Sequence, residues 1–116
     1  GICSTIERCR SANFLLASKL YLMILITVST EDSARLIKNL VGACSRQGQA
    51  VALFFTGSGV RLLDEQNFLR GIDSAGEAVA CGESWRHFFS DLCPISEGSQ
   101  TDHSRLISQA SHLLSF

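Results

Sequence analysis

Short runs of apolar residues along the chain predict buried β-strands. The longest run occupies residues 20–28, and briefer runs occupy residues 50–55 and 77–81. Runs in which nearly every position is apolar are typical of strands covered on both faces, as in a parallel sheet. A last apolar segment at residues 112–116 predicts a terminal strand. The chain is therefore expected to contain four strands or five.

Amphipathic segments lie between these runs and predict helices. The polar residues 29–33 supply capping side chains and early negative charge, both of which favour a helix N-terminus. Apolar residues then recur at the steps expected for one helix face: Ala34, Ile37, Val41 and Cys44. Gly48 is expected to end this helix as a left-handed cap. Further helices are predicted over residues 63–72 with Asp64 as the cap, over residues 83–90, and from Asp102 onward, with an irregular loop at residues 93–101.

The order of these elements predicts the fold class. Strands that alternate with helices build a parallel sheet, because right-handed crossovers carry each helix over a face of the sheet. A chain of 116 residues has room for one domain of ordinary size. We therefore expect a single α/β domain with a four- to five-stranded, mostly parallel sheet and helices on both faces.

Residues 1–18 show no clear period, and we interpret them as an irregular lead-in or the remnant of a tag, with a short helix at residues 6–17. The domain then begins at residue 19. Arg8 and Arg10 precede an apolar stretch, a combination that also occurs in export signals, and that alternative stays open. Lys19 interrupts the stretch, whereas a membrane-spanning helix needs about 20 apolar residues. No membrane association is expected.

Composition narrows the possible partners. Ten Lys and Arg residues against eleven Asp and Glu residues give a net charge of −1, so there is no basic field to attract nucleic acid. The five cysteines include no CxxC pair, and free thiols in an apolar α/β pattern suit a reducing, cytoplasmic location. The three histidines show no zinc-ligand spacing either. Neither a metal nor another cofactor is expected.

Candidate binding residues lie in the loops that follow the predicted strands. In a parallel α/β sheet these loops share one edge, and ligands bind there where the strand order reverses. Three segments, residues 29–33, 56–60 and 81–85, are expected to meet. Their candidate binding residues are Ser29, Thr30, Thr56, Gly57, Ser58, Gly59, Gly82 and Trp85. Each also has a structural explanation: helix capping in the first loop, a tight turn for the glycines of the second, and core packing for the tryptophan.

Cys81 is the candidate catalytic residue. It closes a predicted strand and precedes a helix start, where free backbone N–H groups favour the nucleophilic thiolate. Arg86 and His87, one turn downstream, are candidates to help, whereas the carboxylate of Glu83 raises the pKa of the thiol. The alternative is a buried, inert thiol. Cys93 would act as a resolving thiol if its loop folded back.

The order of these segments resembles the DsrE/DsrF-like sulfur-relay family over residues 19–116. The resemblance is carried by the apolar first strand, a helix ending in Arg-Gln-Gly, and the segment Val-Ala-Leu-Phe-Phe-Thr-Gly-Ser-Gly-Val at residues 51–60. A third strand that ends in Cys81 and a final segment at residues 112–116 complete it. After Cys81 the sequence reads Gly-Glu-Ser-Trp-Arg-His, where many members of the family have a longer stretch that contains Arg-Gly.

The resemblance implies a small flavodoxin-like domain that assembles as a trimer or hexamer. It also implies a sulfur carrier or sulfurtransferase that holds a persulfide on Cys81, takes sulfur from a donor protein and relays it to an acceptor thiol without a cofactor. Two alternatives remain: a non-catalytic interaction or regulatory subunit of such an oligomer, and a binder of a small ligand or flavin at the loops of Ser29 and Gly57. The spacing of His87, His103 and His112 shows no recognisable catalytic triad with Cys81.

Overall fold

The computed structural model describes residues 22–116. The interpretation of residues 1–18, their helix at 6–17 and the first part of the apolar run at 20–28 therefore lie outside the described residues. Within the described range the chain forms five strands: β1 Met23–Val28, β2 Ala50–Phe55, β3 Glu77–Cys81, β4 Ser96–Gly98 and β5 His112–Ser115.

Helices connect these strands. They are α1 Ala34–Arg46, a 3₁₀ helix at Gly57–Asp64, α2 Gln66–Gly71, α3 Gly82–Phe88 and α4 Gln100–Gln109. A short helix lies within the predicted range 63–72, but it begins at Gln66, and its N-cap is Glu65 rather than Asp64. Asp64 ends the 3₁₀ helix, and the extended backbone of Glu65 separates that helix from α2.

All five strands lie parallel in one sheet with the order β4-β3-β2-β1-β5. The predicted α/β class is confirmed, and the compact arrangement is that of a single flavodoxin-like domain. From β1 to β4 the chain moves in one direction across the sheet. It then crosses back to place β5 beside β1, where Leu25 pairs with Leu113.

Side chains that alternate along the strands divide the core between the two faces of the sheet. On the first face, Ile26, Leu53 and Ala80 pack with residues from α1, the 3₁₀ helix, α2 and α3. On the second face, Leu25 and Phe54 belong to a smaller cluster that is covered by Leu106 of α4. We call these the main face and the α4 face. Helices on both faces, as predicted, follow from the reversal of chain direction, since right-handed crossovers in opposite directions lie on opposite faces.

Helix α1 ends as the sequence predicts. Gly48 has a φ of 71°, and the backbone N–H of Gln49 donates to the carbonyl of Cys44 at 2.8 Å, which closes the helix with the expected left-handed cap. Cys44 packs against the main-face core. The start of α1 differs from the expectation, because Ser33 is the N-cap but its hydroxyl makes no capping hydrogen bond.

The segment predicted as an irregular loop at 93–101 instead contains β4. Its three residues, Ser-Glu-Gly, have low strand propensity, and only pairing with β3 defines the strand. The cap of α4 is also corrected. Ser99 is the N-cap, and Asp102 is its partner in a capping box: the backbone N–H of Ser99 donates to the Asp102 carboxylate at 2.9 Å.

Two glycines determine the path of the loop after β2. Gly57 has a φ of 56°, as expected for a tight turn, whereas Gly59 does not need a positive φ. Gly59 is required for another reason: a Cβ there would overlap the backbone carbonyl of Val28. The loop therefore packs directly against the end of β1. No helix within residues 22–116 combines the length and apolar character needed to cross a bilayer.

Candidate functional site

The three loops that follow β1, β2 and β3 meet at the carboxyl edge of the sheet. The hydroxyl of Ser58 donates to the carbonyl of Ser29 at 3.3 Å and joins the first two loops. The backbone N–H of Gly57 donates to the Ser84 hydroxyl at 2.9 Å and joins the second loop to α3. Hydrogen bonds thus link all three segments, and the 56–60 loop is their common partner.

The strand order reverses at a different point from the one that Cys81 occupies. The connection that leaves β1 leads over the main face to β2, whereas β5, the last strand, is reached from β4 through α4 on the other face. The strand order therefore reverses between β1 and β5. Phe116 fills this position: its carbonyl accepts from the backbone N–H of Ser29 at 2.7 Å and from the Ser29 hydroxyl at 3.1 Å. Cys81 ends β3, two strands away from β1. The cysteine is therefore at the predicted edge but outside the crevice where such folds usually bind ligands.

Cys81 is both the last residue of β3 and the N-cap of α3. Its side chain lies in the smaller core cluster on the α4 face, together with Phe54, Val79 and Leu106. The residue is 7% exposed. Helix α3 lies on the main face, where Trp85 is in the core. Cys81 therefore lies at the point where the chain passes from the α4 face of the sheet to the main face.

The pKa of the Cys81 thiol is lowered. Burial acts against this and raises the pKa, but the Ser84 hydroxyl and the backbone N–H groups of Ser84 and Glu83 together lower it by more. The charge of Glu83 raises the pKa, as the sequence predicts. The Cys81 side chain makes no capping hydrogen bond to α3. Because a thiolate is a much stronger acceptor than a thiol, these donors stabilise mainly the ionised state.

Ser84 is a site residue that the sequence reasoning missed. It is the third residue of α3, and at this position a side chain can reach back to the N-cap. Its oxygen already accepts the Gly57 N–H, so its one hydroxyl proton is free to donate toward Cys81. The signal in the sequence was the three-residue spacing between Cys81 and Ser84, which becomes informative once the helix is known to begin at Gly82.

Arg86 and His87 do not assist Cys81 as the sequence predicted. Arg86 forms an ion pair with Glu97 at 3.0 Å, and its side chain is mostly exposed. The His87 ring packs edge-on against Phe88. Neither residue is among the groups that shift the pKa of Cys81. A single helical turn does bring them near the start of α3, but their side chains have other partners.

Cys93 belongs to the opposite side of the sheet. It packs against the main-face core, whereas Cys81 belongs to the α4-face cluster. Burial raises the pKa of the Cys93 thiol, and the charges of Glu97 and Asp91 add to the effect, although the backbone N–H of Ile95 opposes it. Cys44, Cys81 and Cys93 are free thiols in this structure. This arrangement gives no support to Cys93 as a resolving thiol for Cys81.

Three of the remaining candidate binding residues make contacts within the fold. Trp85 is 2% exposed, stacks on Phe89 with 4.2 Å between ring centroids, and donates to the carbonyl of Asp91 at 2.7 Å. The structure therefore places it in the core rather than over a pocket. Gly82 is buried beside the Arg86–Glu97 ion pair, which a Cβ would crowd. Thr56 donates its backbone N–H to Val28, and Thr30 has no described partner that would assign it a role.

His103 and His112 lie apart from α3. The His103 ring stacks on Phe54 with 4.4 Å between centroids, and its Nε2 lies 3.1 Å from the Thr27 hydroxyl. This contact fixes α4 on its face of the sheet. His112 begins β5 and is exposed. Among residues 22–116, no three His, Cys, Asp or Glu side chains are grouped closely enough to hold a metal ion.

A cavity of about 210 Å³ lies away from the strand-end loops. Its lining residues come from α2, the start of β3 and the segment before β4: Leu69, Ile72, Asp73, Ala75, Ala78, Pro94 and Ile95. It contains none of the candidate binding residues. The fold and the site together define a flavodoxin-like α/β domain with a cysteine at the carboxyl edge. No family model matches the chain, and no curated protein matches it.

Proposed function

We propose that this protein is a small sulfur carrier or sulfurtransferase-like protein that holds a persulfide on Cys81 and relays it to an acceptor thiol. The observation that carries the proposal is the position of Cys81, which ends β3 at the carboxyl edge of the sheet and is the N-cap of α3, and the backbone N–H groups and the Ser84 hydroxyl at this helix start lower its pKa. The thiolate is the form that attacks sulfur, and a lowered pKa increases the fraction of the thiol in this form. The resemblance to the DsrE/DsrF-like family supports the same residue.

The proposed reaction needs no external oxidant or reductant. The Cys81 thiolate attacks the terminal sulfur of a donor persulfide, R–S–SH. The donor S–S bond breaks, a new S–S bond forms on Cys81, and R–S⁻ leaves with the electron pair. In the second step an acceptor thiolate attacks the terminal sulfur of the Cys81 persulfide. The Cys81 thiolate is then the leaving group, and the transferred sulfur keeps its proton in both steps.

The groups around Cys81 would favour both steps. Ser84 and the backbone N–H groups of Glu83 and Ser84 stabilise negative charge on the sulfur, which makes Cys81 a good leaving group in the second transfer. Ser84 is held in place by its bond to Gly57. Because the residue is only 7% exposed, the thiol would have to become more accessible for a donor to reach it. Donor and acceptor proteins and a reducing, cytoplasmic location belong to this proposal.

Intact-mass spectrometry tests the proposal directly. We expect incubation with glutathione persulfide to add the mass of one sulfur atom to the protein, and peptide mapping to assign it to Cys81. Cys93→Ser is the matched control and should retain the adduct, whereas Cys81→Ser should lose it. An adduct that survives in Cys81→Ser, or no adduct on the folded native chain, would remove the proposal.

The low exposure of Cys81 specifically favours a second candidate function, that of a non-catalytic interaction or regulatory subunit. In this case the thiol only packs on the α4 face, and the protein acts by binding partners through a surface of a homo-oligomer, a trimer or hexamer. Native mass spectrometry gives the subunit number. A stable oligomer whose Cys81 reacts with iodoacetamide no faster than the half-buried thiol of Cys93 would favour this candidate over the carrier.

A further inference from the structure

We draw no further inference here: the strongest candidate, the apolar edge strand β5 with Leu113 and Leu114 exposed, carries no proposal because nothing in the described part of the chain shows what covers it.

Discussion

Cys81 and Cys93 lie on either side of the same short helix, yet the pKa values of their thiols are shifted in opposite directions. Cys81 is buried and Cys93 is half-buried, and this burial raises the pKa of each thiol. At Cys81 the net pKa shift is nevertheless downward, whereas at Cys93 it is upward. The difference comes from the direction of the backbone. Cys81 precedes the first N–H groups of α3, while Cys93 follows the helix and faces the carboxylates of Glu97 and Asp91.

This contrast shows that burial alone does not decide whether a cysteine is reactive. A thiol that loses water becomes harder to ionise unless fixed donors replace the lost solvation. At Cys81 three donors do so, and one of them, the Ser84 hydroxyl, is oriented by a different loop through Gly57. The lowered pKa of Cys81 therefore depends on the contact between the loops as well as on its own helix.

The largest effect is expected in the alkylation rates of the two thiols as a function of pH. The midpoint for Cys81 should lie below that of a free cysteine, because its thiolate is stabilised, and the midpoint for Cys93 should lie above it. Iodoacetamide labelling followed by peptide mass spectrometry resolves each cysteine separately. In Cys81→Ser the low-pH component should disappear completely, and in Cys93→Ser it should remain. Midpoints in the reverse order would contradict the comparison.

The loop that holds Ser84 can be disturbed without touching either cysteine. Gly59→Ala places a methyl group against the Val28 carbonyl, and relief of this overlap should lower the free energy of unfolding by about 1–3 kcal/mol. Chemical denaturation measures this change. Gly76→Ala is the matched control, because its Cβ would lie at an ordinary distance of 3.5 Å from the Val51 carbonyl. If both variants lost the same free energy of unfolding, the loop would not pack tightly on β1.

Much of this fold could be predicted because its strands are nearly continuous apolar runs. The predicted bounds of β2 and β3 match the structure, since both strands are buried and bounded by polar or glycine-rich turns. β4 could not be predicted, because its three residues, two of them exposed, are too few to show an alternating pattern. Cys81 was found from its place at the end of a strand. Ser84 was not, because its role depends on a hydrogen bond from a loop 27 residues away in sequence.

Ser84→Ala should reduce the difference between the pKa values of Cys81 and Cys93. Without the hydroxyl, the pKa of Cys81 rises, whereas that of Cys93 stays unchanged. The Gly57 N–H also loses its acceptor, so stability should fall by about 0.5–1.5 kcal/mol. Ser84→Thr keeps the hydroxyl and should restore the pKa, and Ser90→Ala, an exposed serine after α3, should change neither quantity. A Cys81 midpoint unmoved in Ser84→Ala would exclude Ser84 as a donor to the thiolate.

The opposite pKa shifts also predict opposite contributions to stability at alkaline pH. The folded pKa of Cys81 is below its unfolded value, so ionisation of Cys81 adds stability as the pH rises through that interval. The folded pKa of Cys93 is above its unfolded value, so its contribution is lost as the pH rises through its own interval. The stability of the native chain should therefore rise with pH relative to Cys81→Ser and fall relative to Cys93→Ser. Urea denaturation between neutral and alkaline pH gives both differences.

The smallest effect is expected from the exposed carboxylates that face each thiol. Glu83 raises the pKa of Cys81, so Glu83→Gln should lower that pKa further and leave Cys93 unchanged. Asp91→Asn is the counterpart and should lower only the pKa of Cys93. Water and salt screen such surface charges, so both shifts should shrink as ionic strength increases. Shifts that persist at high salt would mean that these carboxylates act through local structure rather than through their charge.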